Sequence, residues 1–130
     1  MASQRGASMT AMVAVLLPAL LVVIGLVVDG GAQASADARA ERVAAAAARA
    51  ASDNTAQARL GGRTVGAGEA IAVAQRVIGA ASGVTGSVEV SGGQVMVHTS
   101  VAVPTTLLSL IGITQLHGSG TAVAALTPDR

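Results

Sequence analysis

The stretch ASMTAMVAVLLPALLVVIGLVV, Ala7–Val28, decides the fold. It runs for 22 residues without a charge, and twelve Val, Leu and Ile residues lie between Val13 and Val28. As a helix it would extend about 33 Å at roughly 1.5 Å per residue, enough to cross a hydrocarbon layer of about 30 Å. On the insertion scale the twelve aliphatic residues contribute on the order of −4 to −7 kcal/mol, against which Thr10, Pro18 and Gly25 subtract. The surface helix of a soluble protein would interrupt such a run with polar residues every third or fourth position, and this one is not interrupted. The stretch predicts a transmembrane helix over residues 7–28, preceded by a short cytoplasmic leader, residues 1–6.

The flanks give an orientation. Arg5 precedes the span and Asp29 follows it, so these two residues mark the membrane boundaries. Residues 29–130 carry seven arginines and seven acidic residues, a balance of zero. The positive bias near the membrane is N-terminal, which places the N-terminus in the cytoplasm and the remainder outside. A cleaved secretory signal is the rival reading, because Ala32-Gln33-Ala34 before Ser35 forms a small-x-small peptidase site. Against it, the apolar run is longer than the roughly 7–15 residues of a signal core, and Asp29-Gly30-Gly31 separates the run from the site.

Beyond the span, Gln33–Ser52 is rich in helix formers, so the membrane helix is expected to continue as a stalk over residues 29–53, softened at Gly30-Gly31 and bent at Pro18. Charges at Asp37, Arg39, Glu41, Arg42 and Arg49 fall on several faces, and no leucine seam suggests a two-stranded coiled coil. Small residues would instead let neighbouring helices approach closely, at Ala11, Ala14, Pro18 and Gly25 in the membrane and along Ala32–Ala51 outside it. Asn54–Gly68 reads as a loop, with glycines at 61, 62, 66 and 68. Ile71, Ala74, Val77, Ile78 and Ala81 then keep helical spacing. Period two follows: Val88 and Val90, a Gly92-Gly93 turn, then Val95, Val97, Thr99, Val101 and Val103 on one face before Pro104. A last strand falls within Thr121–Leu126, with Thr114–Gly120 as its extension. The fold class is α+β. A long transmembrane and stalk helix precedes an exported domain, residues 54–130, in which a short helix packs on a three-stranded antiparallel sheet.

Composition removes most chemistry. There is no Cys, Lys, Phe, Trp or Tyr among the 130 residues, and the net charge is +1. That leaves no thiol nucleophile or disulfide, no Schiff-base lysine or P-loop, and no aromatic platform for bases. So small a charge does not suit a polyanion partner, so no nucleic acid is expected. His98 and His117 lack the further ligands a metal site requires and read as surface histidines. Gly66-Ala67-Gly68 opens a dinucleotide-like pattern, but Ile71 stands where its third glycine belongs. Asp37 and Glu41, four apart, read as solvated helix charges, and Arg39, Arg42 and Arg49 as solubilising ones with headgroups or acidic neighbours as the alternative. Neither enzyme activity, cofactor nor small-molecule substrate is expected. Leu107, Leu108, Leu110 and Ile111 are too many apolar residues to point together into a small core, and are candidates for either partner contact or local packing.

The order of Arg5-Gly6, Leu17-Pro18, Gly25-Leu26-Val27-Val28-Asp29-Gly30-Gly31 and the alanine-rich run Ala32–Ala51 resembles the TadE/TadG-like proteins of tight-adherence (Flp) pilus systems. Residues 1 to about 53 carry the likeness. The resemblance implies a minor pilin or pilin-like assembly component, held in the membrane with its C-terminal domain outside. Its partners would be membrane lipid, other pilus subunits and the secretion machinery, with incorporation into a surface filament as one destination. It also implies prepilin-peptidase cleavage in some members, here between Gly6 and Ala7. Prepilin-type members carry a glutamate five residues after that bond. This chain has Ala11 there, so the resemblance implies either no cleavage or cleavage without standard packing, and TadG-like relatives, which often keep the Asp-Gly after the span, are the closer match. The alternative is an exported or membrane-tethered binding module unrelated to pili, cleaved after Ala34.

Overall fold

The computed structural model describes residues 3–126. Helix α1 runs unbroken over Ser3–Leu60, 58 residues, through Pro18, Gly25, Gly30 and Gly31. At about 1.5 Å per residue it is about 87 Å long. A loop leads into α2, Ala67–Ala80, and then three strands follow: β1, Val84–Ser91; β2, Gln94–Pro104; and β3, Gln115–Ala125. The sheet order is β1-β2-β3 with both pairs antiparallel, Val88 opposite Val97 and Val97 opposite Ala122. Gly92 and Gly93 turn the first hairpin, both with positive φ, as a two-residue turn matched to strand twist requires. The second connection is longer and carries a single 3-10 turn, Leu108–Ile111. The expected α+β architecture, with a long apolar helix, a short helix and a three-stranded antiparallel sheet, is the one observed.

The helix departs from expectation in two ways. It does not end near Asp53: Asn54–Leu60 is helical, and the loop is confined to the residues between Leu60 and Ala67. The alanine-rich segment is also not a free stalk. Ala36, Ala40, Ala44, Ala47, Ala48, Ala51 and Ala58 are buried, with buried Thr55 between the last two, and form one stripe down the helix. Val84, Val95, Val97 and Val101 face that stripe from the sheet, and Ala70, Ala74 and Ile78 of α2 close it from the side. The second half of α1 is therefore half of the core. The inner stripe of the Ala32–Ala51 run, expected to meet neighbouring helices, is occupied by the protein's own sheet, while Ala34, Ala38 and Ala46 stay exposed. Each fully buried valine contributes about 1.5–3 kcal/mol, whereas an alanine methyl offers nearer 0.8 kcal/mol. The valines supply most of the hydrophobic energy, and the alanines set how near the helix can lie.

That distance is short where α1 crosses β3. A Cβ on Gly118 would run into the backbone of Ala36 and Asp37, and one on Gly120 into the backbone of Ala40 and Glu41. Thr99 Oγ1, buried beneath, donates to the Ala40 carbonyl at 2.7 Å. Away from the stripe, Arg39 donates to the Ser82 carbonyl, tying α1 to the turn after α2. Arg63 and Glu69 pair at 3.0 Å across the α1–α2 loop, and Asn54 adds a bond to Glu69 at 3.2 Å. These bonds hold the Glu69 carboxyl below its ordinary range, with Arg63 the main cause. The pair is solvent-exposed and adds little to stability.

Candidate membrane-boundary site

The first half of α1 is a bare apolar rod. Every side chain described from Ser8 to Ile24 is exposed, among them Leu16, Leu17, Leu20, Leu21 and Ile24, and so are Ala11, Ala14 and Pro18. It is the one helix among the described residues long and apolar enough to cross a membrane. Gly6 lies in its second turn, where its carbonyl accepts from Thr10 Oγ1 at 2.9 Å. The side chains of Arg5 and Ala7 lie outside the described residues.

Burial on this half of the helix begins at Gly25 and Asp29, one turn apart. The β2–β3 connection reaches down to both. Leu107 lies directly over Gly25, and any Cβ there would collide with its side chain. Gly25, expected to pack against another helix, is thus the seat of a leucine from its own head. Asp29, expected to mark the membrane boundary, is a structural bond as well. Its Oδ1 accepts the Thr106 N–H at 2.8 Å, and its Oδ2 accepts those of Leu107 at 3.0 Å and Leu108 at 2.8 Å. The carboxylate is only 1% exposed and is held ionised by these donors, which lower its pKa with the Thr106 amide first. These three amides, at the entry to the 3-10 turn, would otherwise have no partner within the connection.

Asp29 opens a series. Gln33 Nε2 donates to the His117 carbonyl at 2.9 Å, and Asp37 Oδ1 accepts the Ser119 N–H at 2.9 Å. Residues 29, 33 and 37 stand four apart on one line of α1, beside the edge strand β3 and its entry loop. They give hydrogen-bond partners to an edge that would otherwise lie open. Asp37 is therefore not the freely solvated charge expected, whereas Glu41 is exposed. Near the far end, Ser52 Oγ donates to the Ala125 carbonyl at 2.7 Å.

The four apolar residues of the connection divide. Leu107 and Leu108 are half-buried, while Leu110 and Ile111 are 79% and 73% exposed. With Leu21, Val22, Ile24 and Leu26 they line a groove of about 450 Å³ between the connection and the apolar rod. His98 and His117 do not face one another: His98 stands opposite Thr121 and His117 opposite Ala102, and both are exposed. Spacing in the sequence could have found Gln33 and Asp37 as a line with Asp29, but nothing local indicates that they meet β3.

This arrangement can anchor, pack and orient. No group of three or more His, Cys, Asp or Glu able to hold a metal occurs among the described residues. Neither curated proteins nor solved structures yield a match. A family described as "Putative Flp pilus-assembly TadE/G-like" matches residues 6–60, from Gly6 to the last residue of α1. Over those residues, which include the rod, Gly25, Asp29 and the alanine stripe, the chain is similar to that family.

Proposed function

We propose that the protein is a single-pass membrane subunit, pilin-like in form. It acts without catalysis in the assembly of a tight-adherence pilus or related secretion apparatus, in the manner of a minor pilin. The observation that carries this reading is the continuity of α1, matched almost end to end by the TadE/G-like family model: one helix is bare and apolar over its first half and contributes to the core of a small head over its second. Such a part holds a head at a fixed distance and attitude from a bilayer, which suits a building unit. The N-terminus lies in the cytoplasm and the head outside, a reading supported by Arg5 before the span and Asp29 after it. Since the inner stripe of the Ala32–Ala51 run is already covered, contacts with other subunits fall to the exposed membrane positions Ala11, Ala14 and Pro18, and to the outer surfaces of the head.

Replacing Ala14 with Trp is expected to reduce co-purification with pilus components while leaving the head folded; unchanged co-purification would count against a close helix contact there. The binding-module reading with cleavage after Ala34 is disfavoured by Asp29, because that cut discards the residue that fastens the β2–β3 connection. Intact-mass measurement of the mature protein distinguishes an N-terminus at Ala7, one at Ser35, or neither.

A further inference from the structure

We infer that the β2–β3 connection, Thr105–Ile113, is a lipid-immersed collar: it lies beside α1 below the outer membrane surface, and acyl chains fill the groove between them. The inference rests on reading α1 as a membrane span and adds a second, non-helical element to the membrane part. Three independent features of the connection support it.

The first is depth. Leu107 sits on Gly25 and the groove reaches down to Leu21, eight residues towards the N-terminus from Asp29. At about 1.5 Å per residue that is about 12 Å inward from Asp29, within the outer half of a hydrocarbon layer roughly 30 Å thick. A connection at that level has lipid, not water, as its surroundings, and the groove floor is the same surface that faces lipid elsewhere on the rod.

The second is the backbone. Irregular chain at membrane depth is tolerated only when its polar groups find partners inside the protein. Here Asp29 takes the N–H groups of Thr106, Leu107 and Leu108. Thr105 donates to the Thr114 carbonyl, Leu110 to Leu107, Gly112 to Ser109 and Ile113 to Leu108. The hydroxyls are used as well, Thr105 Oγ1 donating to the Ile113 carbonyl and Ser109 Oγ to that of Thr106. A loop exposed to water has no need of such extensive internal bonding.

The third is the side chains. Leu110, Ile111 and Ile113 point outward, exposed, and no Asp, Glu, Lys or Arg occurs between Val90 and Leu126. An uncharged outward surface contiguous with an apolar rod is matched in chemistry by acyl chains. The same picture accounts for a buried carboxylate at the end of a span: amide donors from the collar solvate Asp29 where water is scarce.

Depth-dependent quenching tests this. Because the chain has no cysteine, single-cysteine variants can carry a polarity-sensitive bimane label: Leu110→Cys, Ile111→Cys, Val22→Cys within the span, and Glu89→Cys on the exposed face of β1. The full-length protein is reconstituted in phosphatidylcholine vesicles with or without brominated acyl chains. Labels at 110 and 111 are expected to emit to the blue of that at 89, to be quenched by brominated chains like the label at 22, and to resist aqueous iodide. If 110 and 111 behave like 89 while 22 reports lipid, the collar inference is overturned and the span stands. If 22 itself reports water, the membrane reading fails and takes the collar with it. If 110 and 111 are shielded from both quenchers until the protein is diluted in lipid, the groove holds a neighbouring subunit and the inference is likewise overturned.

Discussion

Asp29 stands one residue past an apolar run, where a carboxylate would ordinarily reach for water, and instead takes three amide hydrogens from a loop 77 to 79 residues away. Hydrogen bonds to an ionised acceptor are among the stronger ones, and losing the acceptor strands the donors. Asp29→Asn leaves one oxygen for three N–H groups. Hydrogen exchange at Thr106, Leu107 and Leu108 is expected to accelerate, and the melting temperature to fall. Equal protection in both proteins would mean that the carboxylate does not hold the loop. The pH dependence has a fixed sign. Because these bonds lower the Asp29 pKa from its ordinary 3.8, the folded state binds fewer protons than the unfolded one in the window below that value. The stabilisation is complete above pH 3.8 and disappears as pH falls through the lowered value. Glu69, depressed from 4.5 by Arg63 and Asn54, acts in the same direction. The difference between the acid melting curves of wild type and Asp29→Asn therefore isolates Asp29.

Between elements, the controlling contact is α1 against β3, where glycines 118 and 120 let the helix backbone touch the strand. Gly120→Ala places a methyl against the backbone of Ala40 and Glu41, which cannot move aside as a side chain would. The expected cost is about 1–3 kcal/mol or more, read by denaturant titration in detergent, with the Thr99–Ala40 bond lost. An unchanged midpoint would show that the sheet can retreat at no cost. The same contact shows what was legible in the sequence. The strands were, because Val95, Val97, Thr99 and Val101 alternate with Met96, His98 and Ser100, which sets a β-branched face apart from the other. The span was, because length and absence of charge suffice. The inner face of α1 was not: alanines occupy its outer positions as well, so the buried stripe has no hydropathic contrast to reveal it. Helix continuation through Asn54–Leu60 was hidden by polar residues that tertiary contact at Thr55 and Ala58, both buried, overrides. In the site, Asp29 could be placed at the end of the span from spacing alone. Its partners could not, because a bond across 77 residues leaves no trace in local pattern.

On the scale of the whole molecule, anchor and core are one helix, so the two cannot be separated without loss. A fragment beginning at Ser35 keeps the alanine stripe but lacks Gly25, Asp29 and Gln33. It is expected to fold with a lower melting temperature than a fragment beginning at Val28, and to leave Leu107 and Leu108 free to bind a hydrophobic dye. Equal stability and equal dye binding in the two fragments would show that the head does not use its membrane-proximal end.

A hinged tether would let its cargo swivel and would part under strain at the linker. Here the unbroken course of α1 from Ser3 to Leu60 offers no such weak place. With the apolar half of α1 in a bilayer, as proposed, any tug or twist on the outer part is passed along a single rod, so a protease cannot shed the head intact by trimming a connector. On that reading, to let go of the membrane this protein would have to give up its own interior.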